Sequence, residues 1–197
     1  MATTLIKNGR VISTTGVIAQ DVLITDETVT ALGAPGYFTE EGCDRVIDAT
    51  GKYVIPGGID VHTHMEMPFG GTKASDTFET GTRAAAWGGV TTIVDMAVQS
   101  TGGNVHTALA DWHRKAEGEC AIDYAFHQII GGVDEESLKG MKYLVDHEGV
   151  TSFKLFMAYP GVFLSDDGQI LRAMQQAAGN GGLIMMHAEN GLAIDVL

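Results

Sequence analysis

Cysteine is nearly absent: Cys43 and Cys120 are the only two in 197 residues. They lie far apart and in no CxxC or metal-type spacing, so a disulfide framework is not indicated and a reducing cytoplasm is the simpler home. Positive charge is scarce as well. Only 12 Lys and Arg stand against 25 Asp and Glu, for a formal net charge of −13. A surface of that sign repels phosphate backbones and anionic lipid, which argues against nucleic acid or a membrane surface as partner. No apolar run is long enough to span a bilayer. The opening MATTLIKNGRVI lacks the basic-then-apolar order of a signal peptide. What is there, 45% hydrophobic and 19% charged residues, suits a globular chain of one or two domains.

The first part reads as short strands and turns. TLIKNGRVIS carries a turn signal at Asn8-Gly9, DVLITDETVTALG suggests a hairpin turning near Asp26-Glu27, and RVIDATGKYVIP a further hairpin turning at Thr50-Gly51. Residues 1–56 are therefore expected to form a small all-β, sandwich-like domain. After Pro56 the rhythm changes. Apolar, β-branched runs begin near Ile59, Val90, Ile122, Thr151 and Leu183, with helical patterns between them. Each helical stretch opens on a capping residue and closes on glycine: DTFETGTRAAAWGG, NVHTALADWHRKAEG, DEESLKGMKYLVDHEG and DDGQILRAMQQAAGNGG. The cadence predicts an α/β fold of strand–helix units on a parallel sheet of about five strands over residues 57–197. A closed (β/α)8 barrel needs eight strands and ~250 residues. An open doubly wound sheet could stop at five, and length alone does not choose.

Three strands end in groups that could carry chemistry. In GGIDVHTH, strand alternation puts Asp60, His62 and His64 on one face and Ile59, Val61 and Thr63 on the other. An HxH pair alone is a weak signal. At the C-terminal end of the first strand of such a series, where barrel enzymes keep their sites, it points to metal ligation. In TSFKLFMAYP, Lys154 falls inside a run that should be buried on both faces, where an ammonium is costly. It either snorkels its amine to the strand end or, with its pKa lowered by burial, adds carbon dioxide to become a carbamate ligand. In GLIMMHAEN, His187 closes the fifth strand. Imidazole and carboxylate-type oxygen together suit zinc or a similar divalent ion. His106, His113 and His147 fall in helical patterns and read as surface groups. His127 reads as a satisfied core group or a support for a ligand, and Asp60 as a partner for a ligating imidazole.

PGGIDVHTHMEMPFGG, DTFETGTRAAAWGGVTTIVDM, SFKLFMAY and MHAEN, in that order, resemble the cyclic-amidohydrolase branch of the amidohydrolase superfamily, dihydropyrimidinase and hydantoinase most of all. The resemblance runs through nearly the whole chain. It implies the N-terminal part of a TIM-type (β/α)8 barrel behind a small β domain. It also implies two divalent ions, zinc expected, held by His62, His64, His187 and a bridging N6-carboxylysine at Lys154. Tyr159 would help to hold the oxyanion. A metal-bridged hydroxide would open the ring amide of 5,6-dihydropyrimidines or 5-substituted hydantoins to N-carbamoyl amino acids, in a cytoplasmic homotetramer. The loop MEMPFGGTKASD would wall the pocket with Met65, Met67 and Phe69, its Gly70-Gly71 permitting movement; Phe156 and Phe163 are further candidates for that wall. The family's remaining metal histidine and catalytic aspartate are expected beyond Leu197, so these 197 residues alone should be inactive. Two alternatives stand beside this one: an allantoinase-like cyclic amidase, and a non-enzymatic scaffold related to dihydropyrimidinase.

Overall fold

In the computed structural model, which describes residues 1–197, the chain falls into two compact units, Met1–Pro56 and Gly57–Leu197. The first is one five-stranded sheet built on a long strand, β1 (Thr3–Ser13). It pairs antiparallel with β2 (Gly16–Thr25), and β2 pairs with β3 (Thr28–Gly33) around a turn at Asp26-Glu27. Asn8-Gly9 is not a turn. Asn8 adopts φ +62° inside β1, and the register with β2 jumps between Ile6 and Gly9, so the left-handed residue makes a bulge. Nor do β4 (Arg45–Asp48) and β5 (Tyr53–Val54) form a hairpin. Both lie parallel to β1, one on each side of the bulge in sequence, because the Thr50-Gly51 turn carries the chain forward instead of back.

The second unit is a parallel α/β layer pair. β6 (Gly58–Thr63), β9 (Val90–Val98), β10 (Asp123–Ile129), β11 (Ser152–Phe156) and β12 (Leu183–His187) pair in strict chain order. A doubly wound sheet reverses its order at a switch point; this one never does, which is how a barrel wall is laid down. The crossovers are α1 (Phe78–Trp87), α2 (Val105–Ala116), α3 (Glu135–Glu148) and α4 (Asp167–Asn180), with a short α5 (Gly191–Ile194) after β12. Their starts are set by side-chain caps on Thr77, Asn104, Asp134 and Asp166. For α1 the cap is Thr77, in a box with Thr80, and not the acidic Asp76. Left-handed Gly149 and Gly181 stop α3 and α4. The apolar core fills the space between sheet and helices, with Ile93, Met96, Ile129, Met141, Leu144, Phe153 and Leu155 fully buried. No helix is long and apolar enough to cross a membrane.

MEMPFGGTKASD is not an irregular loop. Its middle is a small hairpin, β7 (Pro68–Phe69) against β8 (Thr72–Lys73), turned by Gly70 at φ +60° and Gly71 at φ +80°. Two consecutive left-handed residues are what a tight two-residue hairpin turn needs.

At the C-terminal rim of the sheet the loops are knitted together. Gln99 Oε1 accepts the Gly131 N–H at 3.1 Å, and Thr101 Oγ1 donates to the Gly131 carbonyl at 2.9 Å. A Cβ on Gly131 would lie 2.1 Å from the Gln99 carbonyl oxygen, whereas one on Gly132 meets nothing nearer than 3.8 Å. Gly131→Ala should therefore cost about 1–3 kcal/mol in urea denaturation, with Gly132→Ala close to wild type; equal effects would contradict this packing.

Candidate active site

A parallel sheet in chain order sends every strand's C-terminal end to one rim. There, His62 from β6 and His64 just past its end, Lys154 and Phe156 from β11, Tyr159 and Phe163 from the loop after β11, and His187 from β12 line a single cavity. Met67 and Phe69 complete its lining, and its volume is about 340 Å³.

The rings of His62 and His64 meet edge to face with centroids 5.1 Å apart. The strand that leads into them is irregular. Its ladder with β9 runs from Asp60↔Ile93 directly to Thr63↔Asp95, so β6 bulges across Val61 and His62. Side chains take up the backbone there. His127 on β10 bonds the Val61 carbonyl through Nε2 at 2.9 Å and Ser152 Oγ through Nδ1. Asp95 on β9, wholly buried, accepts the Thr63 hydroxyl at 2.7 Å and the Met65 N–H at 2.8 Å on one oxygen, and the Trp112 indole N–H at 2.9 Å on the other. His64 Nδ1 is buried and has no hydrogen-bond partner. Burial pushes this imidazole below its ordinary value, the nearby His62 and Lys154 adding to the push and Asp95 pulling against it. Burial likewise lowers His127.

Lys154 is the outlier in charge. It is 7% exposed, and burial pushes its amine down with no neighbouring acid to oppose it. The nearest marked company of its Nζ is the Phe156 ring, 5.5 Å to the centroid. Beside it, Phe156 stacks on His187 at 5.5 Å and on Phe163 at 5.0 Å, and the Tyr159 ring lies 5.3 Å from His187 and 5.4 Å from Phe69. Tyr159 holds φ +64°, and its carbonyl accepts the N–H groups of Val162, Phe163 and Leu164. Left-handed backbone at a non-glycine residue is the kind of strain that clusters at functional sites.

Of the residues expected in the pocket wall, Met65 alone lies elsewhere. Its Sδ is against α1, 2.3 Å from where a Cβ on Gly81 would stand, because the Asp95 tie turns the chain under the helix. Asp60 does not reach an imidazole; it accepts the backbone N–H of His62 at 3.1 Å. His106, His113 and His147 are exposed on α2 and α3. Sequence reasoning missed two groups. One is Asp95, whose partners are 17 to 32 residues away. The other is Glu189, bonded to His187 Nε2 at 2.5 Å, for which the polar MHAEN ending was the available clue. No three His, Cys, Asp or Glu side chains gather closely enough to hold an ion by themselves.

The amidohydrolase family model matches residues 53–196. The D-hydantoinase of Streptomyces coelicolor is 67% identical over 98% of this chain, and that of Geobacillus stearothermophilus 47% over 99%. The chain spans 42% and 41% of the length of those two proteins. Among solved structures, dihydropyrimidinase from Brevibacillus agri superimposes with a TM-score of 0.93 at 45% identity, over 98% of this chain and 41% of that one. The five parallel strands are accordingly the first part of a TIM-type barrel wall. Family match and superposition agree, and the chain belongs to the amidohydrolase family.

Proposed function

We propose that the whole protein hydrolyses a ring amide of small cyclic ureides, 5,6-dihydropyrimidines or 5-substituted hydantoins, to N-carbamoyl amino acids, with divalent ions held by His62, His64, Lys154 and His187. The observation that carries this is a buried amine with no acid beside it, sharing one cavity with three imidazoles. The names of the relatives, D-hydantoinase and dihydropyrimidinase, supply the substrate class.

The donor set fits a pair of borderline divalent ions such as zinc. Burial favours the neutral form of His64, and its Nδ1 is buried with nothing to bond, as suits a ligand imidazole. The same burial makes the neutral amine of Lys154 accessible. Its lone pair could form an N–C bond to carbon dioxide, and loss of one proton would leave an anionic carbamate, an oxygen donor that Lys154 would add to the imidazoles in holding divalent ions. That step would replace a costly buried ammonium by an anion able to bind divalent ions. Bound there, divalent ions would polarise the scissile carbonyl and make a nucleophilic oxygen available near neutral pH.

The remaining residues shape and steady the substrate. The Tyr159 hydroxyl is the donor for the oxygen on which charge develops, its backbone pinned by the three N–H groups its carbonyl accepts. Phe69 lies nearly parallel to Phe163 at 6.5 Å, and with Phe156 and Met67 they offer apolar wall to a ring substituent. A cavity of about 340 Å³ suits a ligand of one ring. No carboxylate lines it, so the base that takes the proton and returns it to the leaving nitrogen comes from outside these residues.

Three outcomes test this reading in the whole protein. Lys154→Ala should lose zinc and hydantoin turnover together, and wild-type Lys154 peptides should carry the mass of one carbon dioxide under native conditions; full metal occupancy without Lys154 would refute its role. Tyr159→Phe should lower kcat on dihydrouracil by about 10²–10³-fold with metal content intact. Phe163→Ala should raise KM for a 5-aryl hydantoin about tenfold or more, and leave KM for unsubstituted hydantoin nearly unchanged. The 197 residues alone should give no measurable hydrolysis.

A further inference from the structure

Regular ladder bonding fails at the one place in the sheet where it would have fixed the histidines. Between Asp60↔Ile93 and Thr63↔Asp95, three steps along β6 pass against two along β9. Without another constraint, the residues from Val61 to Met65 could settle in more than one register, and the rings would move with them. His127 holds the Val61 carbonyl at the start of that segment, and Asp95 supplies the constraint around His64. Its Oδ2 holds Thr63 by the hydroxyl and Met65 by the backbone N–H, the two covalent neighbours of His64. Its Oδ1 accepts the Trp112 indole N–H of α2.

The choice of a carboxylate is informative. All three partners approach as donors, and only a carboxylate accepts on both of its oxygens. Asparagine of the same shape would turn an NH₂ toward one of them. A wholly buried charge is an expensive way to pack a core, and three convergent donors are what make it tolerable. We propose that Asp95 is the positioning residue of the HxH pair: by gripping the residues on either side of His64, it sets the ring's place at the cavity wall. This rests on the reading of His62 and His64 as metal ligands. It also accounts for Met65 facing α1, since the hydrogen bond that seats His64 draws the next residue under the helix.

The test is made on the whole protein, stripped of metal and reloaded with Zn²⁺ or Co²⁺ alone. Three quantities are read: Zn²⁺ affinity by chelator competition, the visible absorption spectrum of bound Co²⁺, and the urea stability of the metal-free form. Asp95→Asn should fold, bind Zn²⁺ about 10–100-fold more weakly, and shift the Co²⁺ spectrum. Trp112→Phe removes the donor to Oδ1; it should lower stability while leaving affinity and spectrum as in wild type. Wild-type affinity and spectrum in Asp95→Asn would overturn the proposal. So would equal losses of affinity in Asp95→Asn and Trp112→Phe, which would make Asp95 a fold residue only. His62→Ala separates the two readings. If it binds Zn²⁺ like wild type, the ligand assignment itself falls; if it is impaired and Asp95→Asn is not, only the positioning role falls. Should Asp95→Asn fail to fold, Thr63→Val decides. It deletes one of the two bonds to Oδ2, so weaker Zn²⁺ binding with a shifted spectrum supports the proposal and wild-type behaviour overturns it.

Discussion

Five parallel strands paired in chain order can end on only one rim, and the rest of the molecule follows from that constraint. It places the last residues of β6, β11 and β12 on one rim, although β6 lies far from the other two in sequence. Each helix between them caps, covers the apolar face of the sheet and returns the chain to the start of the next strand. Chemistry is confined to the rim, where strand ends and short loops meet. Ile59 and Val61 on β6 and Leu183 on β12 are exposed apolar residues on the two outermost strands of the sheet.

Within that rim, the decisive feature is an imbalance of charge. Three imidazoles and an amine line one cavity with no carboxylate in its wall, Glu189 touching His187 from beside it. Charge on the buried members of such a cluster is costly. Burial answers part of the problem by favouring the neutral forms of His64 and Lys154. The proposed carbamate and divalent ions answer the rest, because the neutral forms are the ones that react with carbon dioxide and bind metal. The same burial that is a liability for the fold is thus the source of the proposed reactivity.

Much of this was legible in the amino-acid sequence, and the exceptions have physical causes. The parallel strands announce themselves as β-branched apolar runs about one crossover apart, and the helices by their caps. Strand alternation puts His62 with His64 on one face of β6, and Lys154 with Phe156 on one face of β11; all four line the cavity. Asn8-Gly9 misled because the same left-handed backbone serves a turn and a bulge, and only the pairing of β1 with β2 decides between them. β7 and β8 were missed because two-residue strands are too short to show alternation, though their Gly-Gly turn was in view. Met65 was placed in the pocket wall by nearness to the histidines, but a hydrogen bond from a distant strand aims it elsewhere. Asp95 could not be read at all. VTTIVDMAV is an ordinary buried strand, and nothing in it shows that its one acid will meet Thr63, Met65 and Trp112.

The central claim is that the buried amine of Lys154 is converted into an anionic ligand shared with the histidines. Diffraction from crystals of the whole protein, recorded across the zinc absorption edge, tests it most directly. The account predicts anomalous density inside the cavity bounded by His62, His64, Lys154 and His187, with continuous density extending beyond Lys154 Nζ. A bare Lys154 amine beside an occupied metal site, or anomalous density lying away from this cavity, would contradict it.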